Sequence, residues 1–278
     1  METEKMLPED YTDPVCPFCT DGYKDEPPAR AIPLGRVLEK LDAYLGKNDY
    51  DGAERHLKYW LGEADAVGDG RGSFALKNEL MGLYRKVGKR DEALEFADAA
   101  LELAEKLGIA ESAAGGTAFV NAATVYKAFG MPGKSLELFE RAREVYEREL
   151  DGDDSRLGGL YNNMGLTLCD LRRFDEAREL YSAALRVMEK AQYGEAERAI
   201  TYLNLANLAE AQYGLEEAAE EIGGLVERAR ELLESEALPR NGYYAFVCEK
   251  CAPTFGYYGY FIYAKELRER AEKIYAGA

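Results

Sequence analysis

The chain has 278 residues, of which 47% are apolar and 31% charged, and its formal net charge is −17. The apolar share is enough for a sizeable core, while the acidic balance disfavours binding to nucleic-acid phosphates or an anionic membrane surface. Five cysteines are too few, and odd in number, for a secreted disulfide scaffold. No stretch approaches the roughly 20 apolar residues of a membrane span, and the N-terminus carries no basic or apolar export signal, so a cytoplasmic protein with reduced thiols is expected.

Residues 1–30 hold five of the nine prolines together with many acids and little periodicity. They are expected to form an extended, proline-rich acidic arm without its own fold, with residues 31–278 making up the folded domain. Beyond the arm, apolar residues recur at spacings of three and four, which gives each segment one sticky helical face. Six helical pairs are predicted in chain order, at 34–68, 71–108, 114–150, 156–192, 196–236 and 243–276. Gly88, Gly130 and the Arg172–Arg173 corner mark turns inside three pairs. Gly-Asp-Gly-Arg-Gly at 68–72 reads as a turn between pairs. Gly223 and Gly224 weaken the second helix of the fifth pair, at about 1 kcal/mol each. The first and last pairs fit the pattern poorly, as capping pairs should.

Four columns repeat at a period of 42 residues: Ala100, Ala142, Ala184; Ala93, Ser135, Ala177; Leu80, Ala122, Met164; and Tyr84, Tyr126, Leu168. The fifth pair follows one residue out of step, with Tyr202, Asn204 and Leu205 matching Tyr161, Asn163 and Met164. The fullest copy runs Tyr161-x2-Met164-Gly165-x2-Leu168, then Ala177-x3-Tyr181-x2-Ala184. This resembles the tetratricopeptide repeat, W-x2-L-G-x2-Y followed by A-x3-F. With a period longer than the family's 34 residues, each helix gains about one turn, which is similar to the repeats of kinesin light chain. The resemblance implies an all-α, right-handed α-α superhelix (a TPR solenoid) of about six helical pairs, a non-catalytic scaffold that binds a protein or peptide partner.

Two CxxC pairs, Cys16-Pro-Phe-Cys19 and Cys248-Glu-Lys-Cys251, could together make a four-thiolate metal site or a redox sensor, the alternative to a scaffold. Against this, Cys248 and Cys251 align with the core columns of Tyr161 and Met164, where cysteine serves as a small apolar residue. Cys169 is expected on the groove side of its helix, and the single histidine, His56, as solvent-exposed filler. No catalytic constellation, metal cluster or phosphate loop emerges, so neither enzyme activity nor cofactor is expected. Nine of the 21 residues from Tyr243 to Tyr263 are aromatic, a density that suits a stiff terminal cap or a homodimer contact.

The candidate binding residues are asparagines. Asn121, Asn163 and Asn204 occupy one position in the first helix of successive pairs, on the face that lines the groove in the resembling family. Asn78, Asn162, Asn207, Arg85 and Lys127 share that face. Helical propensity does not account for such a column. An amide offers a donor and an acceptor together, which matches the backbone of an extended peptide. Arg85 and Lys127 would then favour an acidic position in the partner. The competing reading is that the asparagines bond to neighbouring helices and fix their register.

Overall fold

The computed structural model describes residues 31–277, which form twelve helices and, among these residues, no strand. They are α1 (Leu34–Leu45), α2 (Tyr50–Val67), α3 (Gly70–Val87), α4 (Arg90–Lys106), α5 (Ala113–Ala128) and α6 (Pro132–Glu149). The series continues with α7 (Ser155–Asp170), α8 (Phe174–Lys190), α9 (Glu195–Tyr213), α10 (Ala219–Leu233), α11 (Gly242–Tyr257) and α12 (Phe261–Tyr275). The six expected pairs are present with ends displaced by at most a few residues. The N-terminal arm and its Cys16 and Cys19 lie outside the described residues. The chain divides into two compact units, one ending at Val125 and one beginning at Tyr126.

Local chemistry sets the helix boundaries. The side chains of Asp49, Asp69, Asp154 and Asn241 accept from the backbone N–H of Gly52, Gly72, Arg156 and Tyr244, satisfying donors left open at a helix start. Asp69 is buried and also accepts from Ile32 N at 3.0 Å, which ties the entry of α1 to the start of α3. Between the two helices of each pair one residue turns to positive φ: Asn48, Gly88, Gly130, Arg172, Gly214 and Gly259. Such a residue lets the chain reverse and start the antiparallel helix. Glycine takes this conformation freely, whereas Arg172, at φ 58°, bears a Cβ penalty.

In the first unit α3 packs on α4, and α2 packs on both α1 and α3. In the second unit α7 pairs with α8, α9 with α10 and α11 with α12. There α6 lies against α7 and α8 against α9, and α9 is flanked by α7 and α11. The four sequence columns all fall in the core: each of their twelve residues is buried. Gly165 shows why a small residue recurs here. A Cβ on it would stand 2.5 Å from the buried ring of Tyr181 in α8, so the two helices could not close as they do. The one-residue shift of the fifth pair also holds, since Met164, Gly165 and Leu168 correspond to Leu205, Ala206 and Ala209, all buried. α10 runs unbroken through Gly223 and Gly224, where an added Cβ would meet open space.

Two expectations need correction. His56 is not exposed filler: half-buried in α2, its Nε2 lies 2.9 Å from the carbonyl of Val37 and its ring packs on Tyr44, so it fastens α2 to α1. Cys169 does not face the groove side of α7. Its Sγ lies 3.8 Å from Tyr181 Oη of α8, inside the helical pair, and burial pushes its thiol pKa up.

Candidate functional site

In the second unit α7, α9 and α11 form a row of first helices, and the asparagines sit along it. Asn162 and Asn163 are adjacent on α7, so they point in directions about 100° apart. Asn162 is buried, and its Nδ2 donates to Thr201 Oγ1 of α9 at 2.9 Å. Its Oδ1 accepts from Asn204 Nδ2 at 3.4 Å. Asn163 is half-buried; its carbonyl accepts from Thr167 Oγ1, and its side-chain amide makes no hydrogen bond among the described residues. Asn207, one turn beyond Asn204, accepts from the Oη of Tyr258, which caps the end of α11, at 3.0 Å. Lys127 is paired with Asp170 of α7 at 3.0 Å, so its charge is largely answered within the protein.

The first unit repeats the diagonal contact. Asn121 Nδ2 of α5 donates to Asn78 Oδ1 of α3 at 3.4 Å, while Asn78 Nδ2 donates to the carbonyl of Phe74 in its own helix at 2.9 Å. A bond of 3.4 Å is beyond the usual amide range and therefore weak. Arg85 is exposed on the last turn of α3.

Carboxylates on the same faces were not singled out in the sequence. Glu79 stands 42 residues before Asn121, in the same column, and Glu197 stands two helical turns before Asn204. Glu79 keeps access to solvent, yet desolvation by surrounding protein, followed by repulsion from Asp42, holds its carboxyl above the usual carboxylate range. Desolvation raises Glu197 as well, and Lys250 offsets this only in part. A carboxylate that solvent still reaches while protein crowds it is what a recessed face produces.

The aromatic C-terminal segment divides between core and surface. Tyr244 and Phe255 are buried, whereas Tyr243, Phe246 and Tyr257 stand 48%, 50% and 64% exposed on α11. Tyr243 Oη donates to Glu197 Oε1, and Tyr257 and Tyr258 donate to the two oxygens of Glu210, joining α11 to α9.

Cys248 and Cys251 lie in the core of α9–α12, as expected. Burial pushes the Cys248 thiol up and the Cys251 thiol to about 12, the opposite of the depressed value that a reactive thiolate or metal ligand needs. Among the described residues no group of three or more His, Cys, Asp or Glu side chains is arranged to hold a metal ion. No described helix is long and apolar enough to cross a membrane.

No curated protein matches the sequence. Among solved structures, BtubC (BKLC) from P. vanneervenii is similar at 24% identity with a TM-score of 0.62, covering 72% of this chain and 80% of that one. A Podosopora anserina candidate kinesin light chain with nearly identical TPR-like repeats is similar at 19% identity with a TM-score of 0.50, covering 72% and 94%. These likenesses bear on the fold, a solenoid of helical pairs. The sequence profile described as tetratricopeptide repeat matches residues 73–148 and 156–235, more than half of the chain. Twelve paired helices, the buried 42-residue columns and that match agree: the chain belongs to the tetratricopeptide repeat family.

Proposed function

We propose that this chain is a non-catalytic protein-interaction scaffold that takes an extended peptide segment along its first helices. In the second unit the segment runs over α7, α9 and α11, and in the first over α3 and α5. The observation that carries this reading is the amide of Asn163, half-buried on that face and without a hydrogen-bond partner among the described residues. Beside it, the Asn204 amide has, among the described residues, the 3.4 Å contact to Asn162 alone, and a peptide backbone group offers a better partner at little loss. Asn121 stands in the same relation to Asn78. Asn162, bonded to Thr201, supports the ladder instead of reading the ligand. Main-chain recognition of this kind gives affinity with limited sequence preference.

Peptides selected on the purified chain from a random display library test this reading. Their affinity should fall in the Asn163→Ala and Asn204→Ala double variant with the melting temperature unchanged. A lower melting temperature with affinity intact would assign the two amides to holding the helices in register and overturn the proposal.

A further inference from the structure

The exposed face of α11 carries aromatic rings whose hydroxyls reach α9 while the rings themselves stay open to solvent. Tyr243, Phe246, Lys250, Pro253 and Tyr257 fall at helical spacings within one narrow strip, and all five are exposed. Tyr243 and Phe246 stack at 6.3 Å between ring centroids. Facing the strip from α9 are Glu197 and Glu210, each already oriented by tyrosine hydroxyls. Pro253 has no N–H and so cannot donate to the carbonyl of Glu249 one turn before it. The strip thus offers aromatic faces beside two fixed carboxylates, which suit a donor-rich cation.

The charge balance points the same way. Lys250 is the one basic side chain in the strip, and it lies 6.0 Å from the centre of the Phe246 ring. It does not restore Glu197 to the ordinary carboxylate range, since burial remains the stronger influence. An additional cation placed there would meet the Glu197 carboxyl in a partly desolvated setting, where pairing is stronger than at an open surface. Lys127, which would have favoured an acidic partner, is instead occupied by Asp170.

We propose that the α9–α11 face recognises an arginine- or lysine-bearing extended segment of a partner protein, its cationic side chain lying on Phe246 and Tyr243 and pairing with Glu197. This rests on the peptide-binding reading above and names the chemistry of the partner. Backbone contacts to Asn163 and Asn204 bring the segment across α7 and α9, and the cationic residue fixes its register at α11. A homodimer contact through the same aromatics would instead require them to meet a second copy of a chain whose net charge is −17.

The test uses the full chain and two fluorescent peptides of about ten residues, one alternating arginine with alanine and one alternating glutamate with alanine. Anisotropy titrations at physiological ionic strength should show binding of the arginine peptide. Phe246→Ala and Glu197→Gln should each weaken it by about three- to tenfold. Replacing the exposed Glu216 and Glu217 by glutamine controls for overall charge and should have little effect. Equal losses from that control, or no loss from Phe246→Ala, would show attraction by net charge alone and overturn the cation site. If the glutamate peptide binds instead and Asn163→Ala weakens it, the peptide-binding reading stands while the cationic one falls. If neither peptide responds to substitution at Asn163 or Phe246, both fall.

Discussion

Asn204 reaches back to Asn162, not to its column mate Asn163, and the diagonal contact is 3.4 Å long. It leaves two neighbouring asparagines on α7 in different trades. Asn162→Ala should remove a buried bond to Thr201 and lower stability by about 1–2 kcal/mol. Asn163→Ala should change stability by less than about 0.5 kcal/mol. Thermal or urea unfolding of the two variants compares them directly, and equal destabilisation would contradict the division.

Arg172 holds, at φ 58°, the turn position that Gly130 fills at φ 78° in the preceding pair. Arg172→Gly should therefore stabilise the chain, by about 0.5–1 kcal/mol, because relief of the left-handed strain outweighs the added freedom of glycine in the unfolded chain. Loss of the guanidinium contact with the Phe174 ring, 5.1 Å away, sets the upper limit on the gain. A drop in melting temperature would show that the ring contact dominates.

Ser135 sits in the column of Ala93 and Ala177, fully buried, and its hydroxyl has no hydrogen-bond partner among the described residues. A buried hydroxyl left unpaired loses its hydration without compensation. Ser135→Ala should raise stability by about 1 kcal/mol, read as a shift in the denaturant midpoint at constant slope.

Glu54 of α2 accepts from Lys58 at 2.7 Å, Lys89 at 2.6 Å and Tyr84 Oη at 3.1 Å. The bond from Lys58, ahead of that from Lys89, lowers its carboxyl from 4.5 to about 2. A depressed carboxylate stabilises the fold above the unfolded value, and the contribution disappears as pH falls through the folded one. The stability difference between the parent chain and Glu54→Gln should thus be full above about pH 5, shrink below it and vanish near pH 2. Its size, after allowing for screening at this partly exposed site, is about 1 kcal/mol. A difference independent of pH would mean that shape and not charge matters at this position.

The fold was legible because core positions leave a periodic trace. Ala100, Ala142 and Ala184 repeat at 42 residues since each must admit a facing helix, and all three are fully buried. The turn column was only half visible: Gly88, Gly130 and the Arg172 corner stood out within the 42-residue period, whereas Asn48, Gly214 and Gly259 lie in pairs that depart from it. The asparagine face was legible as a position, but its hydrogen bonds were not. They run diagonally, from Asn204 to Asn162 and from Asn121 to Asn78, and a diagonal depends on how far neighbouring helices slide. His56 and Cys169 were misplaced for a related reason, since each is oriented by a partner distant in sequence, Val37 and Tyr181. Glu79 and Glu197 show no motif, and they stand out only once desolvation acts on them.

The thiols of Cys248 and Cys251 make the terminal hairpin its own stopwatch. Both are shut away in the core that α11 and α12 share with α9 and α10, and both are held in the protonated form, so a thiol reagent in solution must wait for that hairpin to part. The rate at which they are captured counts those openings. A ligand clasped across α9 and α11 would slow the count without touching either sulfur.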